Sequence, residues 1–528
     1  MADQTNQFPQ RVTDASRPLR ARLRSRFPLC PLDILSYRLC DAVSGFLIFL
    51  MLIFSPWAFG TTETWSIRIM NVVGCTLGGL LLIKWFIRSV KGFPALRWDE
   101  ASSRIHATQA SRQATSCLPA QFLAGFTFLL LAYCLVAAVN AAATYHPASK
   151  WFEYHSHIEW LPHSFDSQRT WFHFWMYVGL AGAFWAVHDW LCGMTEAEAA
   201  AFRHQTESAP NGALPGRLRA LLWLLCVNGA LLGVEGIFQR VSGSNALLFL
   251  VHPRVNPEGI TQFGPYAYRS NAAQFFNLLW PVCLGFWLRL QGSGGLRLGA
   301  HHGLLLCAAV MAACPFISSS RGSALTSATM LSLALVYLIA TSIPGYRRSR
   351  AGESGSGKTV SLLTFFFILV LGLGWYFGWD TLSPRLEQLG EGYENREAMY
   401  AAARPMTKDY PWLGTGPGTF ATVFQLYRFS NATYWPEQLH NDWLETRITF
   451  GWIGMALALG ALACICWRRL VPGQIHAGRR FVFLGWLALA GCLVQGVFDF
   501  PLQIHSILLL FLVICAILLA ASGRRPPR

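Results

Sequence analysis

The chain has 528 residues, of which 53% are apolar and only 13% charged, against about 25% charged in an ordinary soluble domain. A soluble enzyme or a disordered chain needs more charge than this, and a secreted disulfide scaffold more cysteine, so a polytopic α-helical membrane protein remains. The net charge of +15 comes from 42 basic and 27 acidic residues, and its meaning depends on the side of the membrane on which it lies.

Residues 1–41 are polar and basic, with no apolar core ahead of the first span, which predicts a cytoplasmic tail and no signal peptide. Apolar runs of about 18 or more residues then follow in order. The first six lie near 42–60, 67–87, 119–139, 170–191, 218–238 and 270–288. Six more lie near 302–318, 322–343, 360–378, 444–466, 481–498 and 504–521, and a short cytoplasmic tail covers 522–528. The expected fold is all-α, with about twelve transmembrane helices in one domain over 42–521. With the N-terminus inside, every inward segment is basic, from Arg11–Arg38 through Lys84–Arg112 and Arg347–Lys358 to Arg468–Arg480. This is the asymmetry that the positive-inside rule demands, and it makes the excess charge chiefly a topology signal. An arginine-rich tail without a folded basic and aromatic surface does not predict nucleic-acid binding.

Three outer loops follow from that orientation, near 140–169, 239–269 and 379–443. None of them contains cysteine, so no outer disulfide framework is expected, and the Cys464/Cys466 pair inside a span predicts packing. The 379–443 loop is long enough to suggest function. Its helix-forming Tyr393–Arg404, its turn-rich Asp409–Phe420 and its many aromatics predict short helices capping an outward cavity.

Outer basic residues are informative because topology disfavours them. Arg269, in Phe263-Gly-Pro-Tyr-Ala-Tyr-Arg-Ser-Asn271, and Arg321, in Ser318-Ser-Ser-Arg-Gly322, sit at the outer ends of spans. A guanidinium there can pair bidentately with a lipid phosphate or snorkel to headgroups, and position alone favours neither. His440 opens His440-Asn-Asp-Trp-Leu-Glu445 where the long loop re-enters the membrane. It is a candidate to take a proton from an attacking hydroxyl. The competing structural role is helix entry, with Asn441 or Asp442 as N-cap. Asp499, in Phe498-Asp-Phe-Pro501, is expected to pair with an outer arginine.

Three further patterns predict no chemistry. Gly352-Glu-Ser-Gly-Ser-Gly-Lys-Thr359 fits the P-loop spacing, but a basic stretch precedes it and an apolar span follows, so a linker that does not bind ATP is expected. His155, His157 and His163 lack thiolate or acidic ligands at a recognised spacing, so a surface-loop or acceptor-contacting role is predicted there and not a metal. His301-His302 is read as a helix start.

Several of these segments together resemble the O-antigen ligase and polysaccharide polymerase membrane proteins. The carriers are Phe263–Asn271, Ser320-Arg321-Gly322, Tyr410–Phe420, His440-Asn441 and Phe498–Pro501, with Phe59-Gly60 and Trp65-Ser66 earlier. The resemblance covers most of 42–521 and is most specific over 262–445. It implies a transferase of the bacterial inner membrane that moves a glycan from undecaprenyl diphosphate to an acceptor at the periplasmic face. The acceptor it implies is a glycan, the lipid A core or a protein, and it implies neither a cofactor nor a metal. By the resemblance Arg269 and Arg321 hold the diphosphate and His440 serves the acceptor, with Asn271, Asn441, Asp442, Glu445 and Asp499 in support. Gln495-Gly496 departs from the family pattern, in which many members carry a histidine. The alternative from another class is a polysaccharide or lipid-linked glycan transporter or flippase. It fits less well, because the ionisable groups gather at outer helix ends and the halves show no repeat.

Overall fold

The computed structural model describes residues 27–98, 110–204, 214–291, 299–341, 357–428, 436–470 and 478–521. Helices dominate them. The first are α1 (Pro31–Trp57), α2 (Thr64–Ser89) and α3 (Ala110–Val139). An antiparallel hairpin follows, β1 (Ala143–His146) with β2 (Trp151–Tyr154), in which Ala143 faces Tyr154 and His146 faces Trp151. Next come α4 (Ser167–Cys192), the short α5 (Glu196–His204), α6 (Gly216–Ser242), α7 (Arg269–Gln291), α8 (Gly303–Ile317) and α9 (Arg321–Ala340). The last are α10 (Gly357–Glu387), α11 (Leu389–Asp409), the single turn α12 (Phe420–Val423), α13 (Asp442–Leu470), α14 (Arg479–Gln495) and α15 (His505–Ala521).

Eight of the described helices are long and apolar enough to cross a membrane: α1, α2, α3 from Ala120, α6, α8 with the turn before it, α9, α10 and α13. The protein is a multi-pass membrane protein, but eight is fewer than the expected twelve. The other four apolar stretches fall on α4, α7, α14 and α15. Length separates α14 and α15, which have 17 residues each. Polarity separates α4 and α7. On α7, Asn271, Gln274 and Asn277 stand among residues that are buried without a break from Ser270 to Leu288. A helix wrapped on all sides by protein can carry amides that lipid would exclude.

Two other boundaries differ from expectation. α1 starts at Pro31, well before the expected span at 42. Proline suits a first helical turn, and Asp33 Oδ2 accepts from the Cys30 backbone N–H at 3.0 Å, so the cap lies ahead of the apolar run. α10 continues past 378 to Glu387, so the first residues of the expected outer loop are helical.

One end of the bundle is tied by buried charge. Lys84 Nζ lies 2.6 Å from Asp41 Oδ1 and 2.7 Å from Asp189 Oδ2. Arg88 reaches Asp189 Oδ1 at 2.6 Å, Arg97 also pairs with Asp189, and Arg217 reaches Asp41 Oδ2 at 2.5 Å. The cluster therefore joins α1, α2, α4 and α6. Removing one partner of a buried pair strands the others and costs about 3–5 kcal/mol. Asp189→Ala is accordingly expected to lower the unfolding temperature of the detergent-purified protein markedly, and Glu196→Ala, whose 3.9 Å pair with Arg38 is exposed, to leave it nearly unchanged. Equal melting of the two variants would count against this role.

Candidate active site

Six helix ends converge at the other end of the bundle: the N-termini of α7, α9 and α13 and the C-termini of α6, α10 and α14. At their junction, His440 immediately precedes Asn441 and α13. Its backbone is left-handed, with φ +57°, a conformation that costs energy for a residue with a side chain. Neighbours hold it there. Tyr400 OH donates to the His440 carbonyl at 2.6 Å, and Glu445 Oε2 accepts from the Leu439 N–H at 2.7 Å.

The imidazole lies edge-on to two rings, Phe500 at 4.7 Å and Tyr268 at 5.9 Å between centroids, which stack on each other at 5.5 Å. Nδ1 is 3.4 Å from Asp499 Oδ1. Asp499 therefore pairs with the histidine and not with an outer arginine, as the sequence had suggested. The reason is register: α14 ends at Gln495, and the turn that follows carries Asp499 back toward the start of α13, where the Asp442 N–H donates to the Gly496 carbonyl at 2.8 Å. Burial alone would push the Asp499 carboxyl up. The hydrogen bond and charge of His440, the charge of Arg396 and the Ser270 hydroxyl outweigh it and hold the group below its ordinary range. Nε2 of His440 has no partner among the described residues, and the side chain is 22% exposed.

Beside this pair lies a group of guanidiniums. Arg269 Nη1 donates to the Ile260 carbonyl at 2.6 Å. Arg240, in the last turn of α6, donates to the carbonyls of Gly259, Ile260, Gln262 and Ser318 at 3.0–3.5 Å. Arg321 Nη1 donates to the Gln388 carbonyl at 2.6 Å, just past the C-terminus of α10, and Arg385 stands in the last turn of that helix. Burial first, and then the charges of Arg385, Arg240 and Arg321 against the opposing Tyr268, bring the Arg269 guanidinium down to about 10. Among the described residues none of the four forms an ion pair with a carboxylate, and Arg240 Nε and Arg385 Nε are buried without a hydrogen-bond partner. Carbonyls fix the orientation of Arg240, Arg269 and Arg321 and leave the charge of all four unspent. Such an arrangement favours a multiply charged anion.

Over the site lie α11 and, after the glycine-rich turn, α12. α11 is a single 21-residue helix where short helices were expected. Arg396 on it donates to the Phe498 carbonyl at 2.5 Å. A small apolar core of Tyr400, Ala403, Met406, Phe420, Val423, Phe424, Leu439 and Ile448 fastens α11 and α12 to α13. The glycine-rich turn then crosses α13 backbone to backbone. Gly414 has φ +64°, and a Cβ on it would lie 2.5 Å from the Thr449 backbone. Gly451, at φ +61° where α13 kinks, would put a Cβ 2.3 Å from the Trp412 carbonyl. Tyr133 OH closes the seam by donating to the carbonyls of Leu413 and Phe450.

The structure thus brings together Arg269, Arg321, His440 and Asp499. Asn441 Oδ1 accepts from the Leu444 N–H at 2.9 Å and caps α13. Asp442 Oδ2 accepts from the Leu502 N–H at 2.9 Å, and Glu445 holds Leu439, so both carboxylates serve the backbone. Asn271 is buried in the first turn of α7, where its N–H bonds the Tyr268 carbonyl at 3.0 Å. Arg240 and Arg385 were missed, although both fall in expected outer loops and carry the same signal that singled out Arg269 and Arg321. Elsewhere, His155 bonds Thr144 Oγ1 at 2.9 Å, while His157 and His163 contact backbone carbonyls and each other. Of the P-loop-like stretch, 352–356 lie outside the described residues and Gly357 begins α10.

Because both crossing glycines lack room for a Cβ, Gly414→Ala and Gly451→Ala are expected to loosen the α11–α12 cap and speed proteolysis within 388–441, whereas Gly390→Ala, where no atom lies within 4 Å, should not. Unchanged cleavage in both crossing variants would refute the seam.

Comparison with known proteins bears on one part of this assembly. No curated protein matches the chain. Residues 306–459, about a third of the chain, match the family model described as O-antigen ligase. That stretch runs from the first turns of α8 into α13. It is the part of the chain similar to the O-antigen ligases, and it contains Arg321, Arg385, the glycine-rich turn and His440, while Arg240, Arg269 and Asp499 lie outside it.

Proposed function

We propose that the protein is a membrane glycosyltransferase that moves an oligo- or polysaccharide from undecaprenyl diphosphate to an acceptor hydroxyl at the periplasmic face of the bacterial inner membrane. The observation that carries this is a carboxylate-backed histidine beside four guanidiniums that have no carboxylate partner among the described residues. The family match over 306–459 supports a ligase or polymerase type of transfer in cell-surface polysaccharide synthesis.

In this proposal twelve helices cross the bilayer, with both ends of the chain cytoplasmic and 388–441 periplasmic. Two charge clusters support a membrane-spanning α6. Arg217 in the first turn of α6 belongs to the buried ion-pair cluster, and Arg240 in its last turn belongs to the guanidinium group. At 1.5 Å per residue they stand roughly 35 Å apart, about the thickness of a bilayer core.

The chemistry follows from charge. The acceptor oxygen attacks the anomeric carbon of the lipid-linked sugar while His440 Nε2 takes its proton, and Asp499 steadies the imidazolium. The bond from that carbon to the diphosphate oxygen breaks, and its electron pair leaves on the diphosphate. Arg269 and Arg321, with Arg240 and Arg385 behind them, neutralise the departing charge. The donor arrives already activated on lipid, so the reaction consumes no ATP.

The test is turnover of a defined undecaprenyl-diphosphate glycan by the purified protein, with carrier binding measured separately. Arg269→Ala and Arg321→Ala should each lose about 10²–10³ in rate, and the lysine variants much of it, because geometry counts as well as charge. Arg240→Ala and Arg385→Ala should weaken binding of the carrier. His440→Ala should lose turnover and keep carrier binding. Arg254→Ala, an exposed arginine with no part in the guanidinium group, should behave as wild type. Wild-type turnover in Arg269→Ala, Arg321→Ala and His440→Ala together would overturn the proposal.

A further inference from the structure

Asp499 is gripped from both sides. Its Oδ1 faces His440 and accepts from the Phe500 N–H at 3.1 Å. Its Oδ2 accepts from Ser270 Oγ, and Gln495 Nε2 approaches it at 3.5 Å. Gln495 is completely buried. Its Nε2 donates to Ser323 Oγ at 3.0 Å, and its Oε1 accepts from Thr326 Oγ1 at 2.9 Å. Ser320 Oγ donates to Ser270 Oγ at 3.2 Å and to Ser323 Oγ at 3.0 Å, while Ser270 and Ser323 lie 3.3 Å apart. Gly322 leaves the space these groups need, since a Cβ there would meet Phe498 at 2.6 Å and Gln495 Nε2 at 3.4 Å.

The network spans three helix ends, and its sequence context gives it a use. Ser270 follows Arg269 in the first turn of α7, and Ser320 precedes Arg321 at the start of α9. Each of these arginines therefore shares a turn with a hydroxyl that leads to Asp499. A buried polar network is stabilising only when its members are satisfied, and then it fixes a single geometry. Apolar residues of the same volume would pack this junction without fixing the carboxylate.

We infer that Ser270 and Gln495 are positioning residues, which lock Asp499 and through it keep the His440 imidazole in register with Arg269 and Arg321. This rests on the proposed function and deepens it. The two serve the proton transfer and not the capture of the lipid carrier.

The experiment uses the full-length protein in nanodiscs, with Ser270→Ala, Gln495→Leu, the double variant and Asp499→Asn. Each single variant is expected to lower kcat about tenfold, the effect of losing one hydrogen bond to a charged group. Binding of undecaprenyl diphosphate, the probe for the carrier site, should stay within about twofold of wild type. The double variant should fall well short of the hundredfold product, because both changes act on one carboxylate. The pH profile separates positioning from packing. The titratable and charged groups around Asp499 are His440, Arg396 from α11, Tyr268 and Asp442, and all remain in the variants. Losing the Ser270 hydroxyl removes one stabiliser of the Asp499 anion, so its pKa rises and the acid limb of kcat moves to higher pH. Wild-type kcat and an unmoved acid limb in Ser270→Ala would overturn the inference, as would a rate loss matched by loss of carrier binding. Ser270→Ala is nearly isosteric and carries the test if Gln495→Leu melts early. Active wild type with inactive Asp499→Asn keeps the proposed function standing even where Ser270→Ala behaves as wild type. No transfer by wild type with any acceptor removes that function itself.

Discussion

A helix that carries Ser270, Asn271, Gln274 and Asn277 along its first turns has to keep them from lipid, and α7 does so by burying every residue from Ser270 to Leu288. The neighbouring helices α6, α8, α14 and α15 are placed by that requirement. Wrapping α7 brings the C-terminus of α14, and with it Gln495 and Asp499, beside the N-termini of α7 and α9. The candidate site is thus a consequence of where one polar helix has to be enclosed. Its amides and hydroxyls, which lower the hydropathy of the helix, are the groups from which the Asp499 network is built.

Charge is handled in opposite ways at the two ends of the bundle. Around Asp189 and Asp41, each buried cation has a carboxylate within hydrogen-bonding reach, and the result ties four helices together. Around Arg269 and Arg240 the partners are backbone carbonyls, which orient a guanidinium without cancelling its charge. Like charges held together in a half-buried place repel, and an anion with several oxygens relieves that repulsion. The first arrangement suits a clasp and the second a binding site.

The cap depends on the absence of side chains. Gly414 and Gly451 let the loop and α13 meet backbone to backbone, and the kink at Gly451 receives the turn. That crossing fixes the path of the chain toward His440, whose left-handed backbone is held by Tyr400 on α11. The cap is therefore coupled to the histidine through α11 as well as through α13. The stretch that matches the O-antigen ligases holds the cap and the histidine, while the carboxylate that orients the histidine comes from beyond it.

Membrane character, the helical class, the place of Arg269, Arg321 and His440 at helix ends and the resemblance over the long loop were all legible in the sequence, because hydropathy and turn chemistry are local properties. Local signals mislead where burial is tertiary. The run at 270–288 reads as an apolar span although α7 carries amides that only its enclosure permits, and α1 begins at a cap that no apolar run marks. Pairing was beyond reach for the same reason. Asp499 was expected to meet an arginine, since both stand at helix ends, and nothing in the chain tells which of several neighbouring ends touch. Only the packing of α13 against the end of α14 puts the carboxylate 3.4 Å from His440 and leaves the guanidiniums to backbone carbonyls, because who meets whom is decided by helix register in three dimensions.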